Sequence, residues 1–194
     1  MGDLDSYSLD RALAALGEQL GFMGFSAHLV VIGGSGLLML GIPRGVTRDV
    51  DVVALEHNGA LLPAEPLPEE IAQAAKLVAR DFGLPENWLN HGPAGLLKQG
   101  LPDGFAERLQ SREYGPALRV SFASRIDQIF FKLYAWADRR ESRDFNDLQQ
   151  LEPTETELHQ AAAWARTHNM PGPFDKALAQ ALADFGVDDL GRDA

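Results

Sequence analysis

The chain has 194 residues, 45% hydrophobic and 23% charged, the mixture of a soluble globular protein with one domain or one domain plus a helical appendage. It holds no cysteine, which excludes disulfides, thiolate catalysis and cysteine-ligated zinc and suits a reducing cytoplasm. A formal net charge of −11 repels polyanions at long range and argues against broad nucleic-acid binding, while leaving room for a local basic site.

The opening residues Met1-Gly2-Asp3-Leu4-Asp5 are acidic and lack the basic n-region of a secretory signal. Leu9, Ala12, Leu13, Leu16 and Leu20 recur at helical spacing, with Ser8 as N-cap and Gly21 as stop. Residues 28–32 read as a short buried strand, Gly33-Gly34-Ser35-Gly36 as a sharp turn, and residues 37–40 as a brief helix. The apolar run across this segment is broken by its glycines and is too short to span a bilayer, so no membrane association is expected. Residues 50–55 read as a second, valine-rich strand, and residues 57–68, with three prolines, as an exposed loop.

Residues 68–82 fit a helix with Ile71, Ala75 and Val78 on one face, and residues 84–90 a short helical turn. The stretch through Gly115 mixes glycine and proline with one amphipathic piece, and residues 118–122 alternate like a strand. Helices are expected over 125–136, after the capping-box-like Ser124-x-x-Asp127, from Ser142 to Leu151, from Thr154-x-x-Glu157 onward, and over 174–185. The order implies an α/β (α+β) core, a small mixed sheet flanked by helices, followed by an α-helical C-terminal half. The expected division is a domain over 1–151 and a helical extension over 152–194.

The chemistry-bearing residues lie in one stretch. Side chains two apart in a strand share a face, so Asp49 and Asp51 stand side by side with Val50 and Val52 opposite. Two like charges about 5 Å apart repel by roughly 3 kcal/mol at an effective dielectric near 20. Water, a neighbouring cation or a bound divalent metal must offset that, and Mg²⁺ takes one or two carboxylates plus substrate phosphates. A strand running into Gly-Gly-Ser lets backbone N–H groups approach a phosphate with no Cβ in the way, and Ser35 adds a donor. Each signal has an ordinary alternative: hydrated carboxylates at a strand's entry, and a tight strand-to-helix turn. Together, within 19 residues, they place phosphate donors beside metal-binding acids, as nucleotidyl transfer requires. The spacing is neither a dinucleotide fingerprint nor a Walker A loop.

The segment "VIGGSGLLMLGIPRGVTRDVDVVAL" resembles the minimal nucleotidyltransferases of the polymerase β-like superfamily. Within it, the likeness is to a branch of uncharacterised bacterial nucleotidyltransferase-like proteins related to AbiEii-type toxins. "GLPENWLN" and "SRIDQIFFKLYAWADRRESRDFNDLQQL" are similar to later elements of the same branch. The resemblance implies that Gly33, Gly34, Ser35, Arg44 and Arg48 bind the nucleotide, the first three holding triphosphate oxygens, and that Asp49 and Asp51 ligate Mg²⁺, one ion or two. It implies further that Lys132 neutralises phosphate charge and that Asp144 completes the site or orients Lys132, with Asp147 as the competing candidate. The implied reaction moves a nucleoside monophosphate from a nucleoside triphosphate to an acceptor hydroxyl (RNA, protein or small molecule), releasing pyrophosphate; a toxin of this kind would have an antitoxin partner. One departure stands out. Many members carry a third acid on a later strand, where "ALRVSFA" offers Arg119 and Ser121. A single firmly held metal, a third acid drawn from Asp144, and binding without turnover all remain open.

Overall fold

A computed structural model describes residues 2–43, 45–169 and 172–191. The chain divides into two compact units, Met1–Ser124 and Arg125–Ala194, the first mixed α/β and the second all-helical.

The first unit opens with α1 (Ser6–Phe22). This helix starts ahead of the leucine spacing because the Asp5 carboxylate accepts the Ser8 backbone N–H at 2.8 Å and caps its first turn. A six-stranded mixed sheet follows, built from β1 (Ala27–Ile32), β2 (Val50–His57), β3 (Ala60–Pro63), β4 (Leu89–Asn90), β5 (Gln110–Tyr114) and β6 (Leu118–Phe122). The spatial order is β3-β2-β1-β6-β5, with β1 antiparallel to β2 and parallel to β6. The short β4 runs parallel to the start of β2. Between them lie α2 (Gly33–Met39), α3 (Glu69–Phe82) and α4 (Gly95–Gln99).

One sheet face supplies the core. Leu29 and Val31 of β1, Val50 and Val52 of β2, and Leu118, Val120 and Phe122 of β6 join Leu9, Leu13, Leu16 and Leu20 of α1 and Ile71 and Val78 of α3. Burial of each such side chain contributes roughly 1.5–3 kcal/mol. Strand alternation then puts His28, Val30, Ile32, Asp51, Arg119 and Ser121 on the opposite face. A bulge interrupts the β1–β2 ladder: Val30 lies opposite Ala54 but Val31 opposite Val52, so Val53 is an extra residue on β2. The valine run therefore does not alternate, and Val52, Val53 and Ala54 are all buried.

Four segments depart from the sequence expectation, the first being residues 33–36, expected as a turn but forming the opening of α2. Residues 57–68 are not all loop, because Asn58 and Gly59, with φ of 52° and 82°, make the two-residue turn of a β2–β3 hairpin. Leu89 and Asn90 are extended, pairing with Val50 and Asp51, rather than helical. Residues 110–114 form β5, an edge strand with only Tyr114 buried, which is why it shows no apolar alternation.

The second unit contains α5 (Arg125–Arg139), α6 (Ser142–Gln150), α7 (Glu155–Thr167) and α8 (Pro173–Ala183). The Arg125 guanidinium donates to the Leu151 and Glu152 carbonyls and to the Glu157 carboxylate, tying the α6–α7 junction to the start of α5. Thr154 and Glu157 form the capping box that their spacing indicates. The division expected at residue 151 coincides with the end of α6, inside this unit; α5 packs on α6, α7 and α8. Among the described residues, no helix is long and apolar enough to cross a membrane.

Candidate functional site

β1 ends at Ile32 in extended backbone, and Gly33 turns the chain into α2 with φ of +75°. Ile32 is the register partner of Asp51, so the turn arrives beside that carboxylate. A Cβ on Gly33 would lie 2.7 Å from Asp51 Oδ2, closer than real Cβ atoms approach. Glycine is required here twice over, by the left-handed backbone and by the contact. Gly33→Ala is expected to destabilise the protein by about 1–3 kcal/mol, read as a lowered denaturation midpoint. An unchanged midpoint would mean that Gly33 neither holds the left-handed backbone nor meets Asp51 closely.

Asp49 precedes β2 and Asp51 is its second residue; both are half-buried, and they flank the fully buried Val50. Thr47 is fixed by a backbone bridge to Leu4, with N–O distances of 2.7 and 2.8 Å. Its hydroxyl comes no closer than 3.5 Å to the Asp49 carboxylate, too long for a firm hydrogen bond. Asp51 Oδ1 accepts from Asn90 Nδ2 at 3.1 Å.

Gly34 and Ser35 are buried, and the Ser35 hydroxyl has no hydrogen-bond partner. Such an orphan costs about 1–3 kcal/mol. Arg48 is exposed and its ion pair is with Asp3, at 3.6 Å. Arg44 lies outside the described residues.

The sheet face carrying Asp51 also holds a polar chain that the sequence reading missed. Glu56 contacts His28 Nδ1, His28 Nε2 is 2.6 Å from Ser121 Oγ, and Ser121 Oγ is 2.7 Å from Ser111 Oγ. A carboxylate only accepts, so Nδ1 carries the proton and Nε2 of the neutral ring accepts from Ser121. Burial pushes the His28 imidazole below its ordinary value; Glu56 pulls it up, Arg119 pushes it down and Glu113 pulls it up. The folded state thus binds the proton less well than the unfolded state. The associated stability is complete above about pH 6.5 and is lost as pH falls through the lower folded value. Thermal midpoints of the wild type should decline more steeply between pH 7 and 5 than those of His28→Asn; parallel profiles would show that His28 is not the group responsible. Ser121 is thus bonded to a histidine, and Arg119 pairs with Glu113 at 2.6 Å.

In the second unit, Lys132 is buried and its ammonium lies 2.9 Å from Asp144 Oδ1 and 2.6 Å from Asp147 Oδ2. Arg139 reaches the other Asp144 oxygen at 2.8 Å. Burial pushes the Asp144 carboxyl up, but Lys132 and Arg139 outweigh it and hold it below the ordinary aspartate value. Both acids named as candidates beside Lys132 therefore contact it. The predicted residues fall into two sets, Gly33 with Asp51 in the first unit and Lys132 with Asp144 and Asp147 in the second. Among the described residues, no group of three or more histidine, aspartate or glutamate side chains is arranged to hold a metal ion.

No protein-family model matches the chain, and no curated protein matches it in sequence. A solved structure does match: an antigenic nucleotidyltransferase-like protein from Paracoccidioides brasiliensis, at a TM-score of 0.51 and 15% identity, over 94% of this chain and 91% of that one. The chain therefore has a nucleotidyltransferase-like fold, a mixed α/β arrangement with additional helices.

Proposed function

We propose that the protein transfers a nucleoside monophosphate from a nucleoside triphosphate to an acceptor hydroxyl. The observation that carries this reading is the convergence of the Gly33 turn on the Asp51 carboxylate. It brings backbone without a side chain next to an acid, the pairing needed where a polyphosphate approaches a carboxylate-bound cation. The fold likeness supports the same reading.

In this proposal Asp49 and Asp51, both half-buried, would supply hard oxygen ligands of the kind Mg²⁺ takes, with the remaining positions left to substrate oxygens and water. Bound there, the ion would stabilise negative charge on the transferred phosphoryl group. Asp49 and Asp51 would hold it, and the backbone at Gly33 and Gly34 would orient the departing phosphates. The Ser35 hydroxyl, buried and unpaired, is a further donor that the chain itself leaves unused. In the reaction the acceptor oxygen bonds to the α-phosphorus, the α–β anhydride bond breaks, pyrophosphate leaves with the electron pair, and the hydroxyl proton is released. Positioning supplies most of the rate enhancement in such a displacement. Lys132 and Asp144 enter the proposal through the family resemblance; their own unit displays them as an ion pair.

A second reading is binding without turnover, favoured by the Ser121–His28 bond where a third acid is expected. The experiment that separates the two incubates the protein with each labelled triphosphate, Mg²⁺ and a panel of RNA, protein and metabolite acceptors, alongside calorimetry with ATP. Labelled acceptor and released pyrophosphate support transfer. Heat of binding with no label moved supports the second reading and overturns the first. An AbiEii-type toxin, acting on tRNA and paired with an antitoxin, is a narrower form of the transfer proposal, and a net charge of −11 weighs against it. Growth arrest that Asp51→Ala abolishes would support that form.

A further inference from the structure

The geometry points to Asn90 as the positioning residue for Asp51, a role that rests on the transfer reading for its consequence but not for its existence. β4 consists of only Leu89 and Asn90, and its register sets Val50 against Leu89 and Asp51 against Asn90. Two residues of strand have little stability of their own. What fixes them is Trp88, fully buried, whose indole N–H donates to the Ala75 carbonyl of α3 at 2.9 Å. The Trp88 carbonyl in turn accepts the Val50 backbone N–H, so one residue pins β4 to the helix behind it and to β2 beside it.

Two hydrogen bonds fix the orientation of the Asn90 amide. Its Oδ1 accepts the Gly92 backbone N–H at 2.8 Å, and an N–H donor there requires the amide oxygen on that side. The NH₂ group then faces Asp51 Oδ1, to which it donates at 3.1 Å. The other carboxylate oxygen, Oδ2, faces the Gly33 turn. One oxygen held by Asn90 and the other set against the turn fix the plane of the carboxylate. Partners that orient a ligand in this way typically change affinity or activity by about 10–100-fold when removed. The motif Trp88-Leu89-Asn90 thus has a division of labour: Trp88 anchors, Leu89 packs in the core, and Asn90 orients.

The test must part the hold on Asp51 from the local turn. Serine at position 90 can still accept the Gly92 N–H from its short side chain but is too short to reach Asp51, whereas alanine does neither. Asn90→Ser should lower kcat for triphosphate transfer by about 10–100-fold with KM for ATP within about threefold and an unchanged unfolding midpoint. Asn90→Ala should lose as much activity and some stability. In an Asp51→Asn background neither change should reduce the rate further. Independently of any activity, the side-chain amide resonances of Asn90 in the full-length protein should shift when Asp51 is replaced by Asn. Wild-type kcat in Asn90→Ser, or amide resonances indifferent to Asp51→Asn, would overturn the assignment. No transfer by the wild type with the amide shift present would overturn the transfer reading and leave the hold on Asp51 standing.

Discussion

Asp51→Asn is expected to reduce nucleotidyl transfer by roughly 10²–10³-fold, the scale on which a single preorganised electrostatic group contributes to a transition state. The substitution keeps the shape of the side chain and an oxygen able to accept from Asn90 Nδ2, so stability should change by less than about 1 kcal/mol. The two readouts together make the prediction sharp. Steady-state transfer and the denaturant midpoint are measured on the same preparation, and a rate loss with an unmoved midpoint locates the effect in chemistry. Asp49→Ala should act in the same direction. If the variant carrying both Asp49→Ala and Asp51→Ala transfers nucleotide like the wild type, the mechanism proposed here is wrong.

The second large effect is structural. Lys132→Met removes the cation shared by Asp144 and Asp147, whose side chains are 1% and 5% exposed. Breaking a buried ion pair by deleting one partner costs about 3–5 kcal/mol, because the stranded charge keeps its desolvation penalty. Arg139 still serves one oxygen of Asp144. Adding Asp144→Asn and Asp147→Asn to Lys132→Met should recover most of the loss, since neutral amides strand no charge. Urea unfolding of the single and triple variants measures both. A single variant as stable as the wild type would remove the ion pair as a stabilising element. Acid adds a further signature. The Asp144 carboxyl is held below its ordinary value of 3.8, so its share of the stability is present above that pH and is lost as pH falls through the lower folded value.

The candidate site could be proposed from the sequence because its first residues are close together in the chain. The glycine turn and the two acids lie within 19 residues, and alternation gives the expectation that Asp49 and Asp51 share a face opposite Val50 and Val52. Caps were equally readable: Thr154 with Glu157 forms its box because both partners sit within one helical turn. The Asn58-Gly59 hairpin was missed: that dipeptide between apolar runs is a strong turn signal, but the three neighbouring prolines pointed to a loop. Likewise, β5 hides in the polar run Gln-Ser-Arg-Glu-Tyr because an edge strand need not bury alternate side chains.

The amino-acid sequence by itself determined the class of the fold, the order of most of its elements, and the presence of a glycine bend followed by two aspartates. Those properties follow from backbone sterics and side-chain periodicity over a few residues. Only the tertiary structure decided that Asp51 meets Gly33 on one side and Asn90, 39 residues away, on the other. It also decided that His28 links Glu56 to Ser121, 93 residues beyond it, and that Lys132 sits between two buried aspartates. Such contacts depend on strand register and helix packing, where a shift of one residue turns a side chain to the other face. The free energy that selects one register is spread over the whole buried core rather than written in any short segment.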